Sequence, residues 1–241
     1  MGSFDSVAHR YDAACATPVG TFIEIVEQKI LKELLNPCPG ERIVDLGCGT
    51  GTNAVWMAEA GCEVVGVDES EPMLAQARRK TVARGGVEWV RGDLARLSCS
   101  SASFDAGLMQ VTLEFVRQAE AALTEALRVI KPGGRLVLGL IQGTGAWARY
   151  YQERARADPD SVYYGAHFWT LGELIAVMGW RPACVRGGLY VGPEEFVNAA
   201  QAEALEDRYR LTRPLQDAGF LAVRYDRALS DSEGRILELW R

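Results

Sequence analysis

Three glycines at alternate positions, Gly47, Gly49 and Gly51, follow directly on the apolar run Ile43-Val44-Asp45-Leu46. Beyond them Thr52 to Ala60 has helical spacing, with Ala54, Val55, Met57 and Ala58 on or near one face. The unit reads as strand, glycine turn and helix. Glycine reaches positive φ cheaply, so such a turn can be tight and can let a ligand lie against bare backbone. The first N–H groups of the helix then point towards that ligand. A second strand, Glu63 to Asp68, follows after Gly61 and Cys62 and carries Val64, Val65 and Val67. Its terminal carboxylate, about 20 residues past the glycines, is placed to accept hydrogen bonds from two ribose hydroxyls. A plainer reading has the turn merely connecting strand to helix, with Asp68 as a helix cap.

The glycine pattern distinguishes between nucleotides. A dinucleotide turn reads GxGxxG, whereas here the third glycine falls one place early and gives Asp45-x-Gly47-x-Gly49-x-Gly51. No GxxxxGK[ST] phosphate loop is present. The DxGxGxG run closely resembles motif I of the class I S-adenosylmethionine-dependent methyltransferases. That resemblance implies the cofactor S-adenosyl-L-methionine, leaving as S-adenosyl-L-homocysteine. The residues are compatible: a sulfonium tolerates no nearby cation, and the stretch from Asp45 to Asn53 has no Lys or Arg.

Further motifs carry the same resemblance. Phe4-Asp5-x-x-Ala8-x-x-Tyr11-Asp12 is similar to the N-terminal segment of methyltransferases like those of ubiquinone and menaquinone biosynthesis. It implies a lid in which Tyr11 contacts the cofactor; without the resemblance, the segment reads as an amphipathic tail. Gly92-Asp93-Leu94, after a third strand at Val87 to Val90, resembles motif II, in which the acid receives the adenine amino group. Ile130-Lys131-Pro132-Gly133-Gly134 before a strand is also familiar from the family. The implied cofactor contacts are Tyr11, Asp45, Gly47, Cys48, Gly49, Asp68, Glu69, Met73, Gly92, Asp93, Leu94 and Gln110. Met73 fits equally well as core, and Asp93 as a loop cap. No catalytic residue is assigned.

With 241 residues, one domain is the default. The expected fold is α/β: a Rossmann-like, doubly wound, mostly parallel seven-stranded sheet with helices on both faces and a small helical, aromatic cap. Residues 1–36 would form the lid and first helix, 40–141 the cofactor-binding core, 142–182 the cap insertion, and 183–241 the C-terminal strands and helix. Helices are expected at Phe22 to Leu35, at Arg117 to Ile130, from Gly143 to Asp158, from Thr170 through Met178 and from Pro193 to Arg210. Strands are expected at Phe104 to Gln110, Arg135 to Ile141, Ala183 to Val191 and Phe220 to Arg227. The tail from Ser230 to Arg241 has no clear pattern.

Hydrophobic residues make up 48% of the chain, and no apolar run approaches 18 residues, so no membrane span is expected. No signal-peptide pattern is present. Gly2 with Ser6 makes only a formal acylation match, read as chance. The net charge of −6 argues against an extended nucleic-acid surface. The six cysteines show no CxxC or Cys/His spacing. They read as reduced packing thiols in a cytoplasmic protein, with no metal site.

Methyl transfer from a sulfonium is an in-line displacement on an activated carbon. The protein mainly has to align the partners and exclude water. The expected partner is a small-molecule methyl acceptor, with no nucleic acid and no membrane. Candidate acceptor contacts are Tyr11, Gln110, Trp147, Tyr151, Tyr164, His167 and Trp169, with His167 as the conceivable base. The aromatic cluster suits a flat, apolar or cationic acceptor and equally suits ordinary packing. The alternative is a non-catalytic sensor or partner-binding module that binds the cofactor without turnover.

Overall fold

The computed structural model describes residues 4–81 and 86–228; Gly2 of the acylation match and the 230–241 tail lie outside them. In chain order the elements are α1 (Ala8–Cys15), α2 (Pro18–Leu35), β1 (Arg42–Leu46), α3 (Thr52–Glu59), β2 (Glu63–Asp68), α4 (Glu71–Thr81) and β3 (Val87–Arg91). Then come β4 (Phe104–Gln110), α5 (Ala119–Val129), β5 (Ile130–Ile141), α6 (Ala146–Ala157), α7 (Leu171–Met178), β6 (Cys184–Gly188), α8 (Ala199–Thr212) and β7 (Phe220–Asp226).

The seven strands lie in the order β3-β2-β1-β4-β5-β7-β6. β7 runs antiparallel to β5 and to β6, and the other neighbouring pairs are parallel. The chain winds outward from β1 in one direction through β2 and β3, and in the other through β4 and β5. The crevice at this reversal lies beyond the carboxyl ends of β1 and β4, where open α/β sheets bind ligands.

The apolar strand runs reflect burial on both faces of the sheet. Ile43, Val64, Leu108 and Val137 pack into a layer with α2 and α3, through residues such as Leu31, Leu35 and Met57. Val44, Val65, Met109, Leu136 and Leu138 pack on the other face with α5 and α7, through Leu123, Ala126 and Leu174. Leu108 is fully buried; cutting such a side chain back to alanine typically costs about 2–5 kcal/mol.

Several boundaries differ from expectation for local reasons. α2 starts a turn before the apolar stripe because Thr17 Oγ1 accepts the Gly20 N–H at 3.2 Å and Pro18 fills the first helical position. α5 stops at Val129, and β5 begins at Ile130. Lys131 to Gly134 form an irregularity between the Phe104–Ile130 and Ala106–Arg135 pairs, with Gly133 at φ 80°. α8 begins only at Ala199, where Asn198 caps it by accepting the Gln201 N–H. β6 ends at Gly188, where Leu189 turns the chain at φ 56°. The expected Thr170 cap is a full capping box with Glu173, and Gly179 closes α7 in the left-handed region.

Candidate active site

β1 ends at Leu46, and the chain reverses immediately. Gly47 and Cys48 both donate their N–H groups to Val67 O, at 2.8 and 3.0 Å, which fastens the turn to the end of β2. Gly47 and Gly49 have φ of 75° and 52°. A Cβ on Gly47 would lie 2.2 Å from Thr112 Cγ2, whereas one on Gly49 would meet nothing within 4 Å. Gly47 is therefore required by the packing of β1 against the strand-end segment after β4. Gly49 instead leaves its backbone facing open space.

Asp68, at the end of β2, accepts the Gly49 N–H through Oδ2 and the Ser70 N–H through Oδ1, each at 2.8 Å. Its carboxyl is raised above the usual range by burial, and these two hydrogen bonds pull it back. A carboxylate offers about four acceptor positions, so the two turn bonds leave capacity for a ligand. Asp68 therefore shapes the turn and also faces the cavity beside it.

That cavity measures about 1740 Å³, larger than the ~300–1,000 Å³ usual for one small ligand. Its wall contains Tyr11, Gly47, Cys48, Gly49, Asp68, Glu69, Met73, Gly92, Asp93, Leu94 and Gln110. Asp45 is the exception among the expected contacts, because it sits behind the turn and not on the wall. It is 1% exposed, and its Oδ2 has no hydrogen-bond partner among the described residues. Burial, reinforced by the charge of Asp68, pushes its carboxyl up to about 7. Asp93 uses Oδ1 to accept the Ala95 N–H. Gln110 has both ends of its amide engaged by Asn53 and Glu27. These residues suit an adenosyl sulfonium: the Gly49 backbone faces open space, carboxylates stand at two strand ends, and the Lys80 ammonium beside Thr50 is paired with Asp12.

The segment expected to form a lid folds as α1 beside the turn. Thr50 Oγ1 donates to Asp12 Oδ1 at 2.7 Å, and burial holds the Tyr11 phenol well above its ordinary value. Opposite the turn the wall is aromatic. Phe4 packs edge-on against Phe115 at 4.8 Å, and Tyr163 lies 5.9 Å from Phe115. Tyr163 and Tyr151 stack at 4.1 Å and 18°, and Trp147 follows Tyr151 at 5.9 Å.

Of the expected acceptor contacts, Tyr11, Gln110, Trp147 and Tyr151 line this space, and the other three do not. Tyr164 is 64% exposed. Trp169 is buried with its indole N–H on Leu113 O. His167 lies against Trp169 and 3.5 Å from Glu173, off the cavity wall, so the geometry does not present it as a base to anything in the cavity.

Sequence reasoning missed Asn53, Phe115, Tyr163 and above all Glu27. Glu27 lies on α2 beside the buried Val26, Ile30 and Leu31, and is itself buried. A carboxylate inside an apolar stripe was the available signal. Burial first, then the charges of Glu114 and Glu24, push it up to about 8, against the pull of the Gln110 hydrogen bond. Glu114 is buried as well, and burial pushes it up to about 7 even though it accepts the Ile141 N–H at 2.7 Å.

The chain matches a methyltransferase domain over residues 44–138. It is 38% identical over 149 residues to the demethylmenaquinone methyltransferase of Beutenbergia cavernae, covering 62% of this chain and 60% of that relative's length. With the demethylmenaquinone methyltransferase of Corynebacterium kroppenstedtii it is 36% identical over 198 residues, 74% of this chain and 84% of the relative. The solved structure of a Thermotoga maritima methyltransferase, described as a possible histamine N-methyltransferase, superposes with a TM-score of 0.73. That pair is 27% identical, and the match covers 93% of this chain and 98% of the other. Sheet order, glycine turn and these likenesses define the class as S-adenosylmethionine-dependent, with the Rossmann-like methyltransferase fold. The chain belongs to the class I methyltransferases of the ubiquinone and menaquinone type.

Proposed function

We propose that this chain transfers the methyl group of S-adenosylmethionine to a small-molecule acceptor bound between the lid and the cap. The observation that carries the reading is that one cavity is walled by the glycine turn on one side and by the Tyr11–Tyr163–Tyr151 aromatic surface on the other. Its volume suits two ligands side by side. S-adenosylmethionine supplies the activated methyl. Asp68 takes the ribose hydroxyls, Gly47 to Gly49 the amino-acid end, Asp93 the adenine amino group, and Met73 and Leu94 flank the ring. The lid and the aromatic wall align the acceptor and exclude water.

The named relatives support an acceptor with a planar ring: demethylmenaquinone in the sequence relatives, and histamine in the description of the Thermotoga protein. The net charge of −6 weighs against nucleic acid. No helix among the described residues is long and apolar enough to cross a membrane. We place the reaction in the cytoplasm, a reading supported by six cysteines that are all free thiols.

Isothermal titration with S-adenosylhomocysteine tests the proposal. Wild type binds it, and Asp68→Ala weakens binding by about 100-fold, because two charge-assisted contacts to the turn and those to the ligand vanish together. Absence of heat with wild type would sink the reading. Binding without turnover against ring-bearing acceptors would favour a sensor.

A further inference from the structure

A directional chain of hydrogen bonds ends on Glu27. The indole N–H of Trp56 can only donate, and it donates to Asn53 Oδ1 at 3.0 Å. That fixes the Asn53 amide, so its Nδ2 faces Gln110 Oε1 at 2.6 Å. The Gln110 amide is fixed in turn, and its Nε2 donates to Glu27 Oε2 at 2.5 Å. Each amide orientation thus follows from an atom whose role is chemically unambiguous. The protein presents Glu27 with a donor and so holds it as an acceptor.

The surroundings are those of a carboxyl that has no counterion and is charged only once a cation joins it. Glu27 is 6% exposed yet lies on the cavity wall. Among the described residues no ion pair involves it. The cavity wall also carries Arg10, Arg91, Arg117 and Arg154; Arg91 donates to Glu69 O, Arg154 sits on the Tyr150 hydroxyl and ring, and none of the four pairs with Glu27 among the described residues. The groups that face Glu27 electrostatically are Glu24, Glu114, Tyr11, Tyr151 and Tyr163, none of them cationic. Burial makes the charged form of such a group costly unless a positive partner arrives. A buried carboxyl without a cationic partner, on a wall that also carries Tyr11, Tyr151 and Tyr163, is the chemistry that selects an ammonium ion.

We propose that Glu27, held by the Trp56–Asn53–Gln110 chain among Tyr11, Tyr151 and Tyr163, is the acceptor-binding residue for a protonated primary or secondary amine on a small apolar or aromatic skeleton. This rests on the methyltransferase reading and specifies its acceptor. An ammonium must lose one proton before its nitrogen lone pair can act as a nucleophile. Glu27, which releases its own proton to solvent when the ammonium pairs with it, takes that proton back and becomes the neutral acid again, so charge is conserved within the pair.

The test is calorimetric titration of the protein saturated with S-adenosylhomocysteine. The probes are 2-phenylethylamine and its uncharged counterpart of the same shape, 2-phenylethanol. The amine is expected to bind at least tenfold more tightly than the alcohol. Glu27→Gln should abolish that preference, keeping S-adenosylhomocysteine affinity within about threefold and the thermal midpoint near wild type. Glu27→Asp, which keeps the charge, should restore part of the preference; it also serves should Glu27→Gln fold poorly. Equal binding of the two probes, no amine binding, or a preference that survives Glu27→Gln each overturns the assignment. Failure of S-adenosylhomocysteine itself to bind would instead overturn the methyltransferase reading beneath it.

Discussion

Lys80 Nζ lies 2.8 Å from Asp12 Oδ1, joining the last turn of α4 to the lid helix α1 across 68 positions of sequence. The same ammonium lies 2.9 Å from Thr50 Oγ1, so three side chains form one latch over the glycine turn. The Lys80 and Asp12 side chains are 31% and 46% exposed, which limits such a pair to about 0.5–1 kcal/mol. Lys80→Met should therefore leave the thermal midpoint almost unchanged. It should weaken S-adenosylhomocysteine binding by about two- to fivefold and raise protease sensitivity in residues 8–17. Unchanged affinity and unchanged cleavage would show that the latch does not hold the lid.

The two glycines of the turn should fail differently. Gly47→Ala meets Thr112 as well as a left-handed backbone. It should cost about 2–5 kcal/mol, or roughly 5–15 °C of melting temperature for a chain of this size. Gly49→Ala carries only the backbone cost of about 1–2 kcal/mol, because its Cβ enters open space. Its larger effect should be on ligand affinity, since the methyl occupies the space beside the turn. Differential scanning calorimetry and titration of both variants check this; the reverse ordering of stabilities would contradict the packing described.

The pH dependence of stability follows from three buried acids. In the native state Asp45 and Glu114 keep their protons to about pH 7 and Glu27 to about pH 8, whereas their ordinary values are 3.8, 4.5 and 4.5. Between those limits the folded chain binds more protons than the unfolded one, so unfolding free energy falls as pH rises. Glu41 and Glu125 are lowered chiefly by hydrogen bonds from Arg135 and Arg128, and their contribution disappears only in acid. The melting temperature of the ligand-free protein should thus peak near pH 5 and decline towards pH 8. Glu114→Gln should flatten the decline. A midpoint that climbs steadily from pH 5 to pH 8 would contradict it.

Removing the α2 cap with Thr17→Ala should cost about 1 kcal/mol, visible as a drop of about 2–4 °C in melting temperature. A null result would mean that the Pro18 geometry alone fixes the start of the helix.

These experiments probe parts of the chain that differed in how openly the sequence displayed them. From Arg42 to Ile141 the strands were readable because parallel strands buried on both faces leave uninterrupted apolar runs, and glycine turns punctuate them. The place of Asp68 at the end of β2 beside the turn was legible for the same reason, as it stands at a fixed offset from the glycines. Glu27 was not. Its burial is matched by a hydrogen bond from Gln110, 83 positions away, and periodicity counts apolar positions without asking what a polar residue among them faces. His167 drew attention as a titratable group among aromatics, yet Trp169 and Glu173 occupy it outside the cavity. The late start of α8 at Ala199 was blurred by charged residues that suit helix and loop alike.

The two sides of the cavity are drawn from separate stretches of polypeptide. The turn side comes from strand ends between Gly47 and Thr112. The facing aromatic surface comes from α1, α2, α6 and the loop around Tyr163, with Phe115 at the seam. On the proposed reading, acceptor selectivity would therefore change on grafting residues 142–168 from a cousin, while the turn side of the cavity stays untouched. Glu27, reached from both sides, is the position such a graft would have to respect.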